Sequence, residues 1–160
     1  MLSFEEINQA ATILEGIAFE TPLVYSNYLS SRFDARVYLK LENLQRTGSF
    51  KFRGAYHKLT KIRESLGPEG VVAASAGNHA QGVAHAAHLM SIPSSIVMPE
   101  WASISKQIAT RSYGGQVILA GTSLAESLDH ARTLEAEGRT FIHPYDDGDI
   151  IAGQGTIGLE

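Results

Sequence analysis

The 160-residue chain reads as an α/β protein with a parallel sheet flanked by helices. Three observations predict this. Short apolar, β-branched runs recur along the chain; stretches with helical spacing lie between them; and Gly or Pro stands at most of the junctions. Strands separated by helices of about ten to fifteen residues imply β-α-β units, whose strands run parallel in one sheet.

The elements follow in order. Ser3 with Glu6 forms a capping box, Ile7, Ala10, Ala11 and Leu14 form an apolar stripe, and Gly16 ends the first helix. Thr21-Pro22 marks a turn, and a short helix is expected over 27–32. Val37-Tyr-Leu-Lys-Leu41 reads as a strand. Residues 49–64 read as a helix, with Phe50, Ala55, Leu59 and Ile62 roughly on one face and Gly67-Pro68 closing it. Val71-Val-Ala-Ala74 is a short buried strand, and 78–90 is a helix of small residues. Strands at 95–98, 116–119 and 139–142 alternate with helices at 103–112 and 123–137, and a last helix opens near Asp149. In such folds ligands sit beyond the carboxyl ends of the strands, so the loops leading into helices are where chemistry is expected.

Composition narrows the function classes. Hydrophobic residues are 44% and charged residues 19%, an ordinary globular balance. The net charge of -4, with basic residues scattered, argues against a nucleic-acid partner. The absence of cysteine excludes a disulfide scaffold and a thiolate metal site. Residues 1–6 lack the basic and apolar regions of a signal peptide, and no apolar run approaches the ~20 residues needed to span a bilayer. The expected location is therefore cytoplasmic, with no membrane partner.

Two loops stand out. In Gln45-Arg-Thr-Gly-Ser-Phe-Lys51-Phe-Arg-Gly54 a lysine opens a helix. The positive helix end and the apolar neighbours Phe50 and Phe52 disfavour an ammonium, which is how a lysine becomes nucleophilic enough to form a Schiff base. A lysine in a first turn is ordinarily just solvated, so this loop is weak by itself. In Ser75-Ala-Gly-Asn-His79-Ala-Gln-Gly82 small residues let a ligand approach the backbone, and amides at the helix start form a site for a carboxylate. Asn78 can donate and accept; the plainer reading makes it an N-cap and Gly77 a turn residue. The spacing is not Gly-x-Gly-x-x-Gly, so a nicotinamide or flavin site is poorly supported.

Together the loops are far more specific. Thr47-Gly-Ser-Phe-Lys-Phe-Arg-Gly54 followed by Ser75-Ala-Gly-Asn-His-Ala-Gln-Gly82 resembles the threonine dehydratase and serine racemase group of fold-type-II pyridoxal-phosphate (PLP) enzymes. The likeness continues in Tyr38-Leu-Lys-Leu-Glu-Asn-Leu-Gln45, Ile96-Val-Met-Pro99, Pro144-Tyr-Asp-Asp147 and Ile151-Ala-Gly-Gln-Gly-Thr-Ile-Gly-Leu-Glu160, and so covers essentially the whole chain.

The resemblance implies a tryptophan-synthase-β-like fold. Residues 47–148 would form a complete small α/β domain, 1–46 part of a large PLP domain, and 149–160 the return to it. It implies PLP as cofactor, with Lys51 forming the Schiff base and moving the Cα proton. Phe50 would pack beside the pyridine ring, and Asn78 would hydrogen-bond the ring hydroxyl. Ser75, Ala76, Gly77, Asn78 and His79 would hold the substrate carboxylate; Gln154 and Gly155 receive no role. The implied reaction is β-elimination from threonine or serine to a 2-oxo acid and ammonia, with serine racemisation as the alternative and a homo-oligomer as the full-length form.

The glycine-rich phosphate loop of this group is expected past residue 160, as are the residue facing the pyridine nitrogen and the cation ligands of some relatives. These 160 residues alone are thus expected to bind PLP weakly or not at all and to be inactive; a non-catalytic remnant or binding module is the remaining alternative. Leu14, Leu23, Leu39 and Leu41 are expected to be partly exposed. His85 and His88 lack a third partner at helical spacing, so no metal site is expected. Asp146 and Asp147 read as a turn after Pro144, Glu135 and Glu137 near Arg139 as a solvated helix end, and Trp101 as a partly packed loop residue.

Overall fold

The computed structural model describes residues 2–160. Its elements run α1 (Phe4–Leu14), β1 (Leu23–Tyr25), α2 (Asn27–Phe33), β2 (Tyr38–Lys40), α3 (Lys51–Ile62), β3 (Val71–Ala74), α4 (Asn78–Leu89), β4 (Ser94–Met98), α5 (Ile104–Ser112), β5 (Gln116–Leu119), α6 (Leu124–Ala136), β6 (Thr140–Phe141) and α7 (Gly148–Gly155). The expected alternation and parallel sheet are present. The main sheet has the order β5-β4-β3-β6, with every pair parallel.

The burial pattern follows from strand position. All residues of β3 and β4 are buried, because helices cover both faces of these central strands. Val71, Ala73, Ile96 and Met98 face α3 and α4, where Phe52, Leu59, Ala80 and Val83 complete the main core. Val72, Ala74 and Val97 face the other way, onto Ala131 and Leu134 of α6. The small residues of α4 let α3 lie close against it. A Cβ on Gly82 would stand 3.0 Å from the Lys51 carbonyl carbon and 3.1 Å from the Phe52 nitrogen. α7 lies along α3 on its other side, and α1 packs on α7.

Four local readings change. Residues 23–25, to which the sequence assigns no element, form the three-residue strand β1, antiparallel to β2 with Leu23 opposite Lys40. α3 begins at Lys51 rather than Ser49, because the Ser49 hydroxyl accepts from the Lys51 amide and stands outside the helix. β6 is shorter than 139–142, although the Ile142 amide still donates to the Val72 carbonyl at 2.8 Å. Leu14 is buried in the packing of α1 rather than exposed. Leu23 and Leu39 are exposed as expected, and Leu41 is half-buried. No helix among the described residues is long and apolar enough to cross a membrane.

Candidate active site

The sheet places a site by its topology alone. From β3 the chain moves outward to β4 and β5, then returns to β6 on the opposite side of β3. The order therefore reverses between β3 and β6, and in open sheets of this kind the ligand crevice lies outside the carboxyl ends at such a point. Two segments flank it, residues 75–77 leading into α4 and residues 142–147 leading into α7.

Lys51 reaches this crevice from α3. Its Nζ donates to the Pro144 carbonyl at 2.6 Å, in the segment that follows β6. Among the described residues no carboxylate lies within ion-pair distance of it. Burial, with no opposing charge, holds the amine below the ordinary lysine range. Phe50 leaves its ring 5.3 Å from Nζ and remains partly exposed, while Phe52 turns into the core.

The loop after β3 presents backbone. Gly77, not Asn78, is the N-cap of α4, and no side chain caps this helix. Asn78 is the first helical residue and exposed, so its amide is spent on no cap. Ser75 turns its hydroxyl back to accept from the Gly77 amide at 3.1 Å, and Ser75, Ala76 and Gly77 are half-buried at the crevice. The His79 side chain turns away from the loop. Its imidazole is 4% exposed, with Nε2 3.0 Å from the Ile142 carbonyl. Burial is the main cause that pushes its pKa down to about 4, and the Lys51 charge adds to it. The ring is therefore neutral; Nε2 donates, Nδ1 is the bare nitrogen, and only the His79 amide is left for a ligand.

Several residues of the same motifs hold the frame instead. Arg53 is buried, pairs with Glu42 at 2.8 Å and Glu160 at 2.5 Å, and also donates to the Phe19 carbonyl at 3.0 Å. It thereby ties α3 to residues on both sides of it in sequence. A Cβ on Gly54 would lie 2.6 Å from the Gln154 side chain, and one on Gly153 2.7 Å from Gly54 Cα, so glycine lets α3 and α7 touch. Gln154, earlier without a role, accepts from the Gly54 amide. Asp147 caps α7 and pairs with Lys58 at 2.8 Å, in keeping with its reading as a turn residue. Reading along the sequence missed these roles because no helix period links Arg53 to Glu42 and Phe19, and Glu160 and Gln154 lie about a hundred residues from Arg53 and Gly54. The one available signal was the Arg53-Gly54 pair two residues after Lys51.

The remaining candidates stay apart from the crevice. The His85 ring packs between Phe52 and Tyr113, His88 is exposed, and Trp101 is 66% exposed with its indole donating to the Thr122 carbonyl. Glu135 and Glu137 form exposed pairs with Arg132 and Arg139. A cavity of about 500 Å³ lies between α1 and residues 156–160 around Arg53, and Lys51 does not line it.

Residues 14–160 match the family described as pyridoxal-phosphate dependent enzyme, and the chain belongs to that family. Among curated proteins it is similar to the L-threonine ammonia-lyase of Thermotoga maritima, 51% identical over 100% of this chain and 40% of that protein. It is 49% identical to the catabolic L-threonine dehydratase TdcB of Staphylococcus aureus, over 100% of this chain and 47% of that one. Among solved structures, maize serine racemase superposes with a TM-score of 0.93 at 31% identity, over 99% of this chain and 48% of that one. Threonine deaminase isoform 2 of Solanum lycopersicum superposes with a TM-score of 0.87 at 41% identity, over 98% and 45%. The chain thus spans about half the length of the relatives it matches or less, and the fold-type-II architecture is shared with them over that span.

Proposed function

We propose that these residues are the lysine-bearing N-terminal part of a PLP-dependent L-threonine (or L-serine) ammonia-lyase, which forms a 2-oxo acid and ammonia by β-elimination. One observation carries the reading: the Lys51 amine stands at the topological switch point, desolvated, with a neutral carbonyl as its partner. A paired carboxylate would hold its proton; a carbonyl in a dry site leaves the amine easier to free.

The residues fit the aldehyde and ring end of PLP. Lys51 provides the amine for the aldehyde carbon, Phe50 an apolar face beside the ring, and Asn78 an uncommitted side-chain amide for the ring hydroxyl. When bound, PLP supplies an electron sink for negative charge at the substrate Cα. Lys51 then takes the Cα proton from a fixed position. The uncapped amides at the start of α4, with Ser75, Ala76 and Gly77, hold the substrate carboxylate and turn the Cα–H bond toward the lysine. The neutral His79 ring keeps a second positive charge away from Lys51.

The reading further assigns residues 47–148 to a small domain built on the parallel sheet, with 1–46 and 149–160 belonging to a large one. It gives the enzyme an amino acid as small-molecule substrate, a cytoplasmic location and a homo-oligomeric state. Threonine is favoured as substrate by the names and identities of the curated relatives. Serine racemisation is kept as a second reading because maize serine racemase has the higher of the two TM-scores. The test is incubation of the protein expressed from its own gene with PLP and L-threonine or L-serine. The dehydratase reading expects 2-oxo acid and ammonia in equal amounts. D-serine on chiral analysis without 2-oxo acid supports the racemase, and neither product defeats both.

A further inference from the structure

We propose that His143 is a positioning residue for Lys51: it folds the turn after β6 so that the Pro144 carbonyl holds the lysine amine at the crevice. The inference rests on the reading of Lys51 as the reactive lysine, and the geometry that carries it is separate.

The segment 142–147 is anchored at both ends. At its start the Ile142 amide donates to β3 at Val72, and the Ile142 carbonyl accepts from His79 of α4. At its end Asp147 caps α7 and pairs with Lys58 of α3. Between these anchors the chain must turn within residues 143–146, and Pro144 has no N–H to help. The turn is closed by one side chain. His143 Nδ1 accepts from the Asp146 amide at 2.7 Å and from the Tyr145 amide at 3.3 Å. The ring is held edge-on between Tyr145, at 4.7 Å between centroids, and Phe141, at 6.2 Å. A nitrogen that accepts two amides carries no proton, so the ring is fixed in one tautomer as well as one orientation.

The turn leaves the Pro144 carbonyl free of the main chain and aimed at Lys51 Nζ, 2.6 Å away. This gives the amine one resting place whenever it is not bonded to a ligand. A carbonyl favours the protonated amine without the strength of a carboxylate. Between steps the lysine amine therefore stays in a known place rather than swinging into solvent. His143 touches neither the lysine nor the crevice amides of α4, and it acts on the amine only through Pro144.

The substitution series separates this role from general packing. Asn carries its acceptor oxygen at the same bond distance from Cβ as His Nδ1, so His143→Asn can close the same turn. His143→Ala has no acceptor, and His143→Gln sets its acceptor one bond too far. The readout is acetylation of Lys51 by a brief pulse of acetic anhydride without PLP, measured by peptide mass spectrometry against exposed Lys61 in the same molecule. Losing the carbonyl removes a hydrogen bond to a charged amine and uncovers it, so the Lys51-to-Lys61 ratio should rise roughly tenfold in His143→Ala and His143→Gln. His143→Asn should stay within about twofold of the unsubstituted protein. An unchanged ratio in the Ala and Gln variants overturns the inference, as does an Asn variant that shifts as far as they do. An Asn variant that cannot fold, by circular dichroism, counts against it too, since its turn should survive. A parallel borohydride reduction with PLP, on the protein expressed from its own gene, tests the reading of Lys51 itself; a missing Lys51 adduct with the acetylation pattern intact defeats that reading alone.

Discussion

The start of α3 offers the crevice a side chain, and the start of α4 offers it main-chain amides. Lys51 brings an amine to the crevice, and the rest of its helix is immobilised by Arg53, Gly54, His57 and Lys58, each bonded or packed to other elements. Asn78 opens a helix whose first amides have no side-chain cap, and its neighbour His79 turns inward. The difference teaches how one crevice is divided. The first helix must hold a single nitrogen still, so it is braced by charge and by glycine contacts. The second must leave amides open, so its loop is small and its polar side chains are withdrawn or uncommitted.

Substitutions can break each plan in its own way. The largest effect is expected from Lys51→Ala, which should lower 2-oxo acid formation by roughly 10²–10⁴-fold through loss of the proton-moving group alone, with little change in unfolding temperature. Arg53→Ala removes the brace rather than the amine. It leaves Glu42 and Glu160 facing each other without their shared cation, and should cost roughly 3 kcal/mol in urea unfolding, the low end for a buried pair because both carboxylates keep some solvent contact.

His79 sharpens the comparison through pH. Unfolded, it titrates near 6.5; folded, its pKa is pushed down to about 4 by burial. Between those values the unfolded chain takes up the proton, so stability present above pH 6.5 is lost as the pH falls toward 4, by up to about 3 kcal/mol. His79→Gln can still donate to Ile142 but does not titrate, and should flatten that part of the stability profile. A smaller effect is expected from Gly82→Ala. Its Cβ would press on the Lys51 carbonyl 3.0 Å away, costing roughly 1–3 kcal/mol in thermal unfolding and shifting the amine from its partner.

The two helix starts also differ in how far the sequence revealed them. The alternation of strands and helices was legible because the central strands are continuous apolar runs and the helices carry clear stops, as at Gly67-Pro68 and Gly138. Lys51 and the 75–79 loop were legible because each is a short local motif. The N-cap was misassigned, since Gly77 and Asn78 are both plausible caps and only backbone geometry separates them. β1 was missed because three residues after a proline carry too little periodicity. The structural work of Arg53, Gly54 and His143 was hidden for different reasons. Arg53 and Gly54 bind partners remote in sequence, while His143 acts through a turn that exists only once β6 and α7 are placed.

The central claim is the identity of the amine that meets the cofactor. Reducing the protein expressed from its own gene with borohydride in the presence of PLP, then mapping the modified peptides by mass spectrometry, tests it directly. The expected result is a phosphopyridoxyl group on Lys51 in preference to exposed Lys61, because burial holds the Lys51 amine below the ordinary lysine range. Label on Lys61 and other surface lysines, with Lys51 unmodified, would contradict it.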